Sequence, residues 1–84
     1  MTVYETTSHE QIRMWCQANG YWPGCMEGKP DRIRIGGSPF GEPEMLDLLD
    51  WPEWFAQFDK RRLKFVYDPN NAWCDLQSRD TRPD

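Results

Sequence analysis

An 84-residue chain with 38% hydrophobic and 29% charged residues has room for one core and the composition of a globular domain, not of a disordered segment. Fourteen Asp and Glu against ten Lys and Arg give a net charge of −4, which argues against a general nucleic-acid binder. No apolar run is long enough to cross a bilayer as a helix, and Met1-Thr2-Val3-Tyr4-Glu5 has neither the basic start nor the apolar stretch of a secretion signal, so a cytoplasmic protein is expected.

Residues 1–6 read as a short leader, and the ordered part of a single domain is expected over residues 7–77, with frayed ends at 1–6 and 78–84. Thr7 with Glu10, or Ser8 with Gln11, starts a helix by capping. Ile12, Trp15 and Cys16 continue it at helical spacing, and Asn19-Gly20 stops it. Tyr21 to Asp31 holds Pro23, Gly24, Gly28 and Pro30 and reads as loop. Arg32-Ile33-Arg34-Ile35 alternates as a half-buried strand does. Gly36 to Pro43 is rich in turn residues, and Glu44 to Leu49 reads as a second strand, although a helical turn would also fit.

Asp50 caps the clearest element. Pro52 lies in its first turn and Glu53 completes the box. Trp51, Trp54, Phe55 and Phe58 then make one apolar stripe, and Lys60-Arg61-Arg62 suits the negative pole of the helix. Leu63 to Tyr67 and Ala72 to Leu76 form a hairpin about Asp68-Pro69-Asn70-Asn71. The expected fold is α+β: two helices packed on one face of a three- to four-stranded, mostly antiparallel sheet. The shared core would be Ile12, Trp15, Ile33, Ile35, Trp54, Phe55, Phe58, Leu63 and Phe65. Arg32, Arg34, Lys64, Val66, Trp73 and Asp75 would lie on the open face.

His9-Glu10-Gln11-Ile12-Arg13-Met14-Trp15, Ile33-Arg34-Ile35, Trp51-Pro52-Glu53-Trp54-Phe55-Ala56-Gln57-Phe58 and Leu63-Lys64-Phe65-Val66-Tyr67 occur in that order. The series resembles a group of small stand-alone bacterial proteins with the pattern H-x-x-I-R-x-W, a short strand, W-x-x-F-F-x-x-F and L-x-F-x-Y. No established function attaches to that group, so the likeness implies one compact domain and lends no activity. Pro52 and Trp54 depart from the pattern, and Trp73-Cys74-Asp75-Leu76 does not match it well.

Little in the chain suggests catalysis. Cys16, Cys25, Cys74 and His9 could supply a Cys₃His zinc set, but no C-x-x-C pair is present. An odd number of cysteines fits reduced thiols rather than a disulfide framework. His9, the single His, lies in a first helical turn, where a structural role is expected. Gly36-Gly37-Ser38-Pro39-Phe40 lacks both the last Gly of a nucleophile elbow and the Lys of a phosphate loop. No enzyme activity, metal or cofactor is expected.

Two surfaces remain. No Lys or Arg occurs between Arg34 and Lys60, while Glu42, Glu44, Asp47, Asp50, Glu53 and Asp59 all do. Asp50 and Glu53 serve as caps. Glu42, Glu44, Asp47 and Asp59 are therefore the candidate partner-binding residues. Such a surface could dock on a basic, nucleic-acid-binding surface of another protein, as some small acidic phage inhibitors of bacterial defence nucleases do. The expected function is thus a non-enzymatic interaction module, a small inhibitor or regulator. The alternative is a single-stranded nucleic-acid-binding domain that uses Arg32, Arg34, Lys64 and Trp73 on the open sheet face. That face could also be covered by a second copy of the chain, as a homodimer.

Overall fold

The computed structural model describes residues 3–37 and 46–79. Its elements are β1 (Tyr4–Thr6), α1 (His9–Ala18), β2 (Trp22–Met26), β3 (Lys29–Gly36), β4 (Leu46–Leu48), α2 (Trp51–Lys60), β5 (Leu63–Asp68) and β6 (Trp73–Ser78). The chain is α+β and its strand pairs are antiparallel.

Both helices begin and end on local chemistry. Ser8 is the residue that caps α1, its hydroxyl accepting the Gln11 N–H at 3.3 Å. At the other end Gly20 takes a left-handed φ of +75°, which lets Tyr21 N–H reach the Cys16 carbonyl and Gly20 N–H reach that of Gln17. Two carbonyls left over at the helix end are thereby satisfied. Asp50 caps α2 through Oδ1, which accepts the Glu53 N–H at 3.0 Å. Arg62 turns the chain out of that helix at φ +52°.

Among the described elements, one core joins the helices to the strands. α1 contributes Ile12 and Cys16, α2 contributes Trp54, Phe55 and Phe58, and the strands add Ile33, Phe65 and Tyr67. The rings of Trp15 meet those of Tyr21, Phe65 and Tyr67 at 5.4–5.6 Å. Trp54 is fully buried, and its indole N–H donates to the Arg34 carbonyl at 3.0 Å. That bond gives a buried polar atom its partner and fixes α2 against β3. Of the expected core, Trp15, Ile35 and Leu63 pack against the cluster from a half-buried position.

The strands do not make one sheet. They make two sheets of three, ordered β1-β5-β6 and β3-β2-β4. Two segments account for the difference. Residues 4–6, expected to be leader, form β1 and pair with Phe65, Val66 and Tyr67, so that β5 becomes the centre of its own sheet. Tyr21 to Asp31, expected to be loop, holds β2 and the start of β3.

Proline and glycine had argued against a strand there, and geometry explains why they fit. In an antiparallel strand a residue points its N and its carbonyl to the same side. Pro23 accepts the Leu49 N–H at 3.1 Å, so its missing N–H faces the β4 side and no bond to β3 is lost. Pro30 lies on an edge strand, where proline is tolerated. Gly28, at φ +73°, closes the turn between Met26 and Lys29. Glycine at Gly24 and Gly36 leaves room for the Trp22 indole, which lies across both.

Candidate functional site

The acidic set divides when it is placed on the fold. Glu42 and Glu44 lie outside the described residues. Asp47 is exposed on β4, an edge strand of its sheet. Its carboxylate has structural work that the sequence did not reveal, because Oδ2 accepts the Gly28 N–H at 3.0 Å and braces the β2–β3 turn. Asp59 is elsewhere. It lies in the last turn of α2, and a ten-residue helix is about 15 Å long, so it is remote from the capping end. There it meets His9 Nε2 at 2.9 Å and Arg79 at 3.1 Å.

What remains is a corner where β4 runs into α2, with Asp47, Asp50 and Glu53 exposed around it. The Cys25 thiol, itself buried, senses this corner. Burial raises its pKa first, and the carboxylates of Asp47 and Glu53 raise it further, with Asp31 behind them. Leu48 lies beside Asp47 with 72% of its surface exposed, the most exposed large apolar side chain among the described residues. Reading Glu44 to Leu49 as a strand, or as a helical turn, does not by itself predict which of its leucines is left in solvent.

The alternative set also divides. Lys64 and Trp73 belong to the β1-β5-β6 sheet, whereas Arg32 and Arg34 belong to β3 of the other. Lys64 is also taken, its Nζ lying 3.0 Å from Glu5. The expected open face is therefore not a single face. Arg32 and Arg34 have a different neighbour, Arg61 at the end of α2. Together with Asp31, Ile33, Leu63 and Leu76 the three arginines line a cleft of about 230 Å³ between the two sheets. In sequence Arg61 is one of a run of cationic residues that suits the end of α2, and its place beside Arg32 and Arg34 is set by the fold.

His9 and Cys16, also candidates for chemistry, make structural contacts. His9 stacks on Phe55 with ring centroids 4.2 Å apart and joins the start of α1 to the end of α2. Cys16 is buried, and desolvation, reinforced by the nearby Cys74, pushes its thiol up to about 12. A thiol so held stays protonated at neutral pH and is inert. Among the described residues no three His, Cys, Asp or Glu side chains converge as a metal set. No helix among them is long and apolar enough to cross a membrane.

Two carboxylates link stability to pH. Asp68 is buried, and the Asn71 side chain donating to Oδ2 at 2.7 Å holds its pKa below the ordinary 3.8, helped by the Asn70 N–H. Burial of Asp59 works the other way, but hydrogen bonds and charge from His9 and Arg79 outweigh it, so its pKa is lowered too. A carboxyl with a depressed folded pKa stabilises above its unfolded pKa and loses that contribution as pH falls through the folded value. The melting temperature should therefore hold between pH 7 and 5 and fall below about pH 4. Asp68→Asn should lower it at pH 7 and flatten the acid fall. A melting series on both proteins checks this, and an unchanged acid fall in the variant would remove Asp68 from the account.

No protein-family model matches the chain, and neither a curated protein nor a solved structure shows detectable similarity to it.

Proposed function

We propose that the protein is a non-enzymatic interaction module of the cytoplasm, a small inhibitor or regulator that docks through the β4–α2 corner on a partner protein with a basic surface. The observation that carries this reading is Leu48, 72% exposed on an edge strand and next in the chain to the exposed Asp47. A large apolar side chain left in solvent is the kind of group that an interface buries. The carboxylates contribute differently. Asp47, Asp50 and Glu53 stand in a stretch without a single Lys or Arg from residue 35 to residue 59. A field of one sign steers a basic partner and raises the association rate, most strongly at low salt. The outer edge of β4 adds main-chain donors and acceptors that a strand of the partner can use. Partner surfaces that ordinarily hold nucleic acid have the required charge.

Asp50 is a cap and a poor site to test. Asp47→Asn keeps the acceptor for Gly28 and removes the charge, Glu53→Gln removes a second charge, and Leu48→Lys removes the exposed apolar side chain. Affinity capture from cytoplasm, followed by binding measurements on the purified partner, distinguishes their roles. Leu48→Lys should weaken binding by about tenfold or more through faster dissociation. Asp47→Asn with Glu53→Gln should slow association, and the difference should shrink as salt is added. A partner that binds all three variants like the wild type rules out this corner.

A further inference from the structure

We infer that the arginine-lined cleft between the two sheets is a binding site for a phosphate ester that bears a flat ring, that is, a nucleotide, free or as one unit of a single strand. This goes beyond the docking proposed above and uses the opposite edge of the β3-β2-β4 sheet.

The fold brings the charges together from separate elements. Arg32 and Arg34 come from β3, Arg61 from the end of α2, and Leu63 and Leu76 from the neighbouring sheet. A bulge aims part of this set. Lys29 pairs with Met26 and Ile33 with Cys25, so Pro30, Asp31 and Arg32 have no partner on β2 and swing out of the ladder. Bulges re-aim side chains in this way and are common beside binding sites. The Trp54 indole holds the Arg34 backbone from the α2 side.

The guanidinium groups differ in how far they are committed. Arg61 donates to the Asp31 carbonyl at 3.1 Å and lies 3.6 Å from its carboxylate. Arg34 reaches the Ile33 carbonyl and the Met26 sulfur at 2.9 and 3.5 Å. Arg32 is exposed at the cleft and, among the described residues, has neither a hydrogen bond nor an ion pair. Three arginines against one aspartate leave a local excess of positive charge in a protein whose net charge is −4. A carboxylate would be satisfied by one bidentate arginine, whereas a phosphate has the charge and the oxygens to occupy several.

Leu63 and Leu76, both half-buried, border these donors and offer a narrow apolar strip to the edge of a ring, while Ile33 closes the cleft from the core. At about 230 Å³ the cleft is smaller than the roughly 300 Å³ of pockets that enclose a whole small ligand. It can grip the phosphate and part of a ring and leave the rest outside, which a continuous strand requires.

The test is fluorescence anisotropy of the full chain with a short labelled single-stranded DNA or RNA, competed with adenosine monophosphate, inorganic phosphate and an oligoglutamate peptide. Binding should weaken as salt rises, and Arg32→Glu with Arg34→Glu should weaken it about tenfold or more. Competition by the mononucleotide identifies a free nucleotide as a sufficient ligand, and competition by unlabelled strand alone identifies the strand. If the double variant proves poorly folded by circular dichroism, amide shifts of the wild type on titration should move at residues 31–34, 61–63 and 76. No binding at millimolar ligand, binding untouched by the double variant, shifts confined to other residues, or equal competition by the acidic peptide each overturns the assignment.

Discussion

Phe58→Ala should cost about 3–5 kcal/mol, among the largest losses expected of a single truncation in this chain. Phe58 has no exposed surface, and its ring lies 5.4 Å from Trp54 and 6.4 Å from Phe55. It also meets the His9 ring at 6.3 Å and the Arg79 guanidinium at 5.4 Å. Truncation therefore leaves a void bordered by α1, α2 and the end of β6 at once. A domain of this size has a total stability of about 5–10 kcal/mol, so the variant should be marginal at room temperature. Urea denaturation with matched fluorescence and circular dichroism reads this directly. A midpoint close to the wild type would show that the cluster does not depend on α2.

Gly36→Ala should be the second costly change, at about 1–3 kcal/mol, although it removes no contact. Gly36 pairs with Trp22 across the ladder, and a Cβ placed there would overlap the indole ring. The backbone is not the obstacle, because Gly36 is not among the glycines with positive φ. Trp22 must swing away, and Gly24 shows that it is held at a second point, where a Cβ would stand 2.8 Å from the ring and 3.2 Å from the Asp47 carbonyl. The cost should thus reside in the pair. In a Trp22→Ala background Gly36→Ala should cost little or nothing, a coupling that a double-mutant cycle measures. Equal costs in the two backgrounds would falsify the steric account.

The helices were legible because their signals are local. A capping side chain and a stripe at helical spacing involve residues within a few positions of each other, so Ser8, Asp50, Trp54, Phe55 and Phe58 could be placed from sequence. The C-terminal hairpin was legible for the same reason, with Asp68 closing its own turn. β1 and β2 were not. Tyr4-Glu5-Thr6 becomes a strand only because β5 offers it an edge, some sixty residues away in sequence. β2 becomes one because Pro23 happens to turn its missing donor away from β3.

The candidate sites follow the same division. Charge segregation, with six carboxylates and no Lys or Arg between Arg34 and Lys60, is a property of the sequence alone, and so are the α+β class and the two helical stripes. Which of those charges are neighbours was decided by tertiary structure. Asp59 left the acidic group for His9 and Arg79, and Lys64 left the basic group for Glu5. Arg61 joined Arg32 and Arg34 in the cleft, and Leu48 stayed exposed on an edge. Periodicity tells which side of an element a residue takes, because that is set by backbone repeat. It cannot tell which elements meet, because that depends on how two sheets and two helices divide a single core.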